Sequence, residues 1–143
     1  AKKRRTGLII AIVVGSILLL VAGGVTVGIV AFRNVVNAPK VAITGFNDAW
    51  LAGDCDAALE HMEQEIFEAY FVDCATFEAT ASDENASYTK PPKISFTSVS
   101  IVNSNATVET TETFYYDPDE QTFECTYQLD NNGGWIITDM LCN

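Results

Sequence analysis

The run TVETTETFYYDPDEQTFECTYQLDNNGGWIITDMLC at residues 107–142 carries the pattern of paired strands. Residues alternate in character from Thr107 to Tyr116, and the breaker cluster Asp117, Pro118, Asp119 and Glu120 then marks a turn. A second strand follows with Phe123, Cys125, Tyr127 and Leu129 on one face, and after the turn Asn131 to Gly134 a third strand runs from Trp135 to Leu141. A period of two, punctuated by short turns, predicts an antiparallel meander. A two-residue loop at Gly133 and Gly134 sets Cys125 opposite Cys142 and Tyr127 opposite Met140. That register turns Trp135, Ile137 and Leu141 to the other face, so a bulged turn with a different register stays open.

Working upstream, Ile94 to Val102 is rich in strand formers, but its apolar positions change phase between Phe96 and Val99. The change predicts a bulge near Thr97 and Ser98. Residues 79–93, polar and carrying Pro91 and Pro92, read as a surface loop. Before them the spacing is helical. Ala42, Phe46, Ala49 and Trp50 share a face up to Gly53, and Asp54 is placed to cap a second helix with apolar positions Ala58, Leu59, Met62, Ile66 and Tyr70.

The spacing of the four cysteines, Cys55, Cys74, Cys125 and Cys142, argues against a zinc site: there is no CxxC pair and the sole histidine is His61. An even count in a small domain predicts two disulfides and an oxidising compartment. An unbroken second helix would hold Cys55 and Cys74 roughly 28 Å apart at 1.5 Å per residue, beyond bonding reach. Either that helix breaks near Glu63 to Glu65 or these cysteines take other partners; the break, giving Cys55 with Cys74 and Cys125 with Cys142, is the preferred reading.

The first 40 residues differ in kind. Leu8 to Phe32 contains no charged side chain, long enough to span a bilayer as a helix. Lys2, Lys3, Arg4 and Arg5 precede it and only Arg33 and Lys40 follow closely, which predicts a cytoplasmic amino terminus and an outer carboxy-terminal domain. Residues 1–7 are thus read as a basic tail, 8–32 as an uncleaved transmembrane helix, 33–40 as a linker and 41–143 as an extracytoplasmic domain at the cell membrane. Small residues on the helix, Gly7, Ala11 and Gly15 on one face and Gly24 and Gly28 on another, suit close packing against a second helix.

All 19 acids lie in residues 41–143 against two lysines there, Lys90 and Lys93, a net charge of −17. Such a surface repels nucleic acid and anionic lipid and keeps the domain soluble.

The motifs GDCDAAL at 53–59 and GGWIITD at 133–139, within a helices-then-meander order, resemble the nuclear transport factor two-like, or cystatin-like, α+β fold. The chain is similar to actinobacterial membrane proteins that carry a basic amino terminus, one membrane helix and such a domain outside. It departs from them in Ile136, where a lysine is usual, and in its acidic second helix. The resemblance implies two or three helices packed on a four-stranded curved antiparallel sheet that forms a cone. Such cones hold a small-molecule pocket in some members and are filled by side chains in others.

Candidate chemistry is sparse. His61 sits beside Leu59 and Met62, where a lone histidine is more often packed than catalytic, and no nucleophile, phosphate-loop or metalloprotease motif occurs. Glu112 shares parity with Val108, Thr110, Phe114 and Tyr116 and would enter the cone if that face is inward; the plainer reading puts Glu109 and Glu112 on an edge or solvent-facing strand. Asp117, Asp119 and Glu120 read as a turn rather than a calcium loop. Asn85 with Ser87 and Asn105 with Thr107 match glycosylation sequons. The sequence therefore predicts a non-catalytic protein without cofactor or metal. The first reading is an accessory subunit whose partner is another membrane protein or complex, such as a respiratory or envelope-transport assembly. The alternative is a small-molecule or lipid-binding module with a pocket between Phe46, Trp50, Glu112, Tyr116 and Tyr127.

Overall fold

In the computed structural model, which describes residues 26–143 and side chains from residue 37 onward, the alternating segments form one antiparallel sheet. Strands β1 (Lys90–Val102), β2 (Asn105–Tyr115), β3 (Glu120–Asn131) and β4 (Trp135–Cys142) pair in chain order. Before them come helices α1 (Thr26–Ala52), α2 (Cys55–Leu59), α3 (Gln64–Phe71) and α4 (Cys74–Ser87). Contacts divide the chain into two units, Ala1–Val35 and Val36–Asn143. The second is described below. The membrane segment expected at 8–32 lies largely outside the described residues, among which no helix is long and apolar enough to cross a membrane.

Register follows the pattern closely. Strand β1 shifts against β2 between Phe96 and Ser98, so Ile94 and Phe96 before the bulge and Val99 and Ile101 after it lie on one face. The last hairpin combines both registers left open by the sequence. Asn131 pairs with Trp135, making the loop three residues, Asn132 to Gly134, rather than two. Gly133 and Gly134 have φ of 84° and 145°, a region glycine enters without steric cost. Leu129 then faces Ile137, an irregularity follows at Thr138, and beyond it Tyr127 faces Met140 and Cys125 faces Cys142. The extra loop residue and the bulge cancel, so Ile137 turns inward and is fully buried.

Among the described residues four helices are present rather than two or three. The second predicted helix breaks as expected: Met62 forms a parallel bridge to Ile137, and the Glu63 N–H donates to the Ile137 carbonyl at 2.8 Å. The chain doubles back, and Cys55 and Cys74 meet with Cα atoms 5.4 Å apart; Cys125 and Cys142 also bond.

Two expectations need correction. The stretch 79–93 is not a loop, because Asp73 caps α4 by accepting from the Thr76 N–H at 2.8 Å and the helix runs to Ser87. Only Phe77 and Ala81 of α4 are buried, a stripe of two that a polar sequence conceals. Pro91 and Pro92 fall instead in β1, an edge strand where a missing N–H breaks no ladder on the open side. The linker expected at 33–40 is also helical, with Pro39 inside α1.

The core is one cluster in which Ala42, Ile43, Phe46 and Ala49 of α1 join Met62, Phe67 and Phe77 and the sheet residues Val108, Tyr127, Leu129 and Ile137. Strand β2 shows why the sheet can serve as its floor: Ala106, Val108, Thr110 and Glu112 are buried while their alternate neighbours Thr107, Glu109, Thr111 and Thr113 face outward.

Each disulfide closes a loop of similar length, with separations of 19 and 17 residues. Replacing either pair by serine is expected to lower unfolding stability by about 3 kcal/mol. Urea unfolding of the oxidised full chain against each double variant measures it; unchanged midpoints would show that the bonds do not form.

Candidate functional site

The concave face of the sheet and the helices above it leave an apolar cavity of about 410 Å³. Its walls come from six elements, β4 adding Met140 and Cys142. Helix α1 supplies Phe46 and Trp50, four residues apart on one face, and α3 supplies Phe71. Helix α4 adds Thr80 and Glu84, again one turn apart, with Tyr88 just beyond its end. The inward parity of β2 and β3 contributes Glu112 and Phe114, with Tyr116 just past the end of β2, then Phe123, Cys125 and Tyr127. Most of these are rings in mutual contact: Trp50 and Phe71 centroids are 5.6 Å apart, Tyr88 and Tyr116 5.4 Å, and Phe114 and Phe123 5.8 Å.

Glu112 is the exception in this apolar lining. It is only 6% exposed, which corrects its preferred reading as a solvent-facing residue; Glu109, on the other face, is the exposed one. Strand β2 lies inside the sheet, so its inward side chains have no route to solvent except through the cavity. The Glu112 Oε1 accepts from the Thr110 hydroxyl at 3.1 Å and from the Tyr127 hydroxyl. Its Oε2 accepts no hydrogen bond from the described residues. Burial, with the Glu112 charge and hydrogen bond beside it, pushes the Tyr127 hydroxyl well above the usual tyrosine range.

A second carboxylate lines the same cavity. Glu84 Oε2 accepts from the Tyr116 hydroxyl at 3.2 Å. Burial, helped by Tyr88 and Glu84 nearby, pushes Tyr116 up to about 12, and burial also raises Tyr88. Among the described residues no lysine, arginine or histidine lines the cavity.

Phe46, Trp50, Glu112, Tyr116 and Tyr127, singled out in the sequence, thus stand around one space. Glu84 and Tyr88 went unnoticed because they sit in or just past the helix misread as a loop. The usable signal was Thr80 and Glu84, four apart beside Phe77 and Ala81. His61 is elsewhere: its ring packs on Gly45 of α1, where an added Cβ would lie 2.4 Å from Nε2, and its carbonyl accepts the Ile137 N–H at 2.8 Å.

The other candidates do not assemble. Asp117 and Asp119 form a tight turn in which the Tyr116 N–H donates to the Asp119 carbonyl, and among the described residues no group of three or more side chains is placed to hold a metal. The Asn85 amide nitrogen is occupied, donating to the Trp50 carbonyl at 2.9 Å at the end of α1, and the Asn105 amide nitrogen donates to Asp130. Gly7, Ala11, Gly15 and Gly24 lie outside the described residues, and Gly28 falls in the unit Ala1–Val35.

Because the folded state raises the Tyr127 pKa, its contribution is fully present below the ordinary tyrosine value of about 10 and is lost as pH rises through the folded value. Tyr127→Phe is expected to flatten the alkaline fall in melting temperature. It should also cost about 1–3 kcal/mol at neutral pH, since Glu112 loses a donor. Thermal melts between pH 7 and pH 12 decide it; an alkaline limb identical to wild type would mean that Tyr127 does not titrate against the fold.

No family model matches the chain, and no curated protein matches it either. Solved structures do. One, Rd1NTF2_04 with long sheet, superposes with a TM-score of 0.58 at 9% identity, covering 73% of this chain and 98% of its own. A second, Rd1NTF2_05 carrying five substitutions, gives 0.60 at 12% identity over 75% and 97%. A SEC-C motif containing protein from Rhodopseudomonas palustris gives 0.51 at 19% over 66% and 70%. At these identities the likeness speaks to fold alone: the α+β domain of four helices on a curved four-stranded sheet is nuclear transport factor two-like.

Proposed function

We propose that this chain is a membrane-anchored, non-catalytic binding module whose outer domain captures a small, largely apolar molecule in the cone. The observation that carries this reading is the cavity itself, about 410 Å³ and walled by aromatic rings, a volume in the range of small-ligand sites. Where such a cone serves only to associate, side chains fill it; here Phe114 and Phe123 leave the space beside Glu112 open. The two disulfides support an oxidising compartment, and with the basic amino terminus they favour the outer face of a cell membrane. His61 packs against Gly45, away from the cavity, and so is not among the groups that would meet a ligand there. Titration of the full chain in lipid nanodiscs with the apolar dye N-phenyl-1-naphthylamine should give saturable fluorescence. Phe123→Ala should weaken it about tenfold by removing a wall ring. Fluorescence no different from empty nanodiscs would sink the reading.

The accessory-subunit role remains a second proposal, supported by the small-residue faces of the segment 8–32. Its partner would be another membrane protein. Purification in mild detergent followed by mass spectrometry should recover that protein in stoichiometric amount, and recovery of this chain alone would count against it.

A further inference from the structure

Resting on the binding-module reading, we infer that the cavity selects a ligand with one cationic ammonium group on an apolar body, its charge seated on Glu112. The charge balance of the lining points this way. Two carboxylates, Glu84 and Glu112, face the space and, among the described residues, no basic side chain does, so a bound anion meets repulsion there. A purely apolar occupant binds, but more weakly, for another reason. Glu112 is 94% buried, and both donors it has, Thr110 and Tyr127, go to Oε1. Water in the cavity is what remains for Oε2, and an apolar ligand would expel that water and leave a carboxylate oxygen buried without a partner. An ammonium group supplies both the missing donor and the missing charge.

The walls reinforce the choice. Trp50, Tyr88, Phe114 and Tyr116 present ring edges or faces to the cavity, and an aromatic face attracts a cation through its quadrupole. The two hydroxyl donors on Oε1 fix the carboxylate in place before a ligand arrives, so little ordering remains to oppose binding. The general acidity of the domain acts differently: it raises the local concentration of any cation, but salt screens it over about 8 Å at physiological ionic strength.

The test uses three probes with the same phenylbutyl body and different ends: 4-phenylbutylamine, 4-phenylbutan-1-ol and 4-phenylbutyrate. Each is titrated calorimetrically into the full chain in nanodiscs at physiological salt. The amine should bind about tenfold or more tighter than the alcohol, and the carboxylate should not bind. Glu112→Gln, which keeps the side chain's shape and removes its charge, should abolish the amine's advantage over the alcohol. Retained near-ultraviolet circular dichroism would confirm that the variant folds. Should Glu112→Gln misfold, Glu112→Asp, which keeps the charge and withdraws it by one methylene, should reduce the amine's advantage without abolishing it. Equal affinity for amine and alcohol overturns the inference while the binding-module reading stands, as does an amine advantage that survives in Glu112→Gln. Binding of none of the three overturns both.

Discussion

A mismatch of one residue, made and then unmade within the last hairpin, sets the geometry on which the site depends. The loop Asn132 to Gly134 is one residue longer than a two-residue turn, and the irregularity at Thr138 restores the count. Without the bulge, Ile137 and Met140 could not both turn to the core side, since side chains alternate strictly along a strand. With it, Ile137 bonds through its backbone to His61 and Glu63, which ties the helical layer to the sheet. Tyr127, two residues from Leu129 on the neighbouring strand, is aimed at Glu112. The Cys125–Cys142 bond sits on the far side of the bulge and fixes the restored register covalently.

From that register the character of the cavity follows. Glu112 is buried because β2 is an interior strand and its inward parity is shared with Val108 and Thr110. Burying a carboxylate is costly unless donors meet it, and the two hydroxyls that do come from its own strand and from the adjacent one. Neither is a cation. Both donors meet Oε1, so one carboxylate oxygen is held in place while the other has no donor among the described residues.

The helices set the opposite wall under a different constraint. The segment after Cys55 must return to bring Cys74 within bonding distance, and it does so by breaking at Glu60 to Glu63 and again at Val72. At Val72 φ is +69°, a strained region for a β-branched residue, and the Asp73 N–H donates to the Phe71 carbonyl at 2.8 Å. This reversal carries Phe71 onto the cavity and lets Asp73 begin α4, so that Glu84 and Tyr88 reach the same space from the other end.

Much of this was legible in the residues themselves. Alternation between Thr107 and Leu141 gave the strands, the phase change between Phe96 and Val99 gave the β1 bulge, and the reach needed by Cys55 and Cys74 gave the helix break, because each is a local or covalent constraint. Helix α4 was not legible: its capping aspartate and two buried residues are a weak signal beside a polar surface, and packing against Trp50 and Phe71 supplies what propensity does not. The direction of Glu112 was undecidable for a related reason. Parity along a strand assigns side chains to two faces but not which face is inward, and that choice was made only when α1 laid its apolar stripe against one of them.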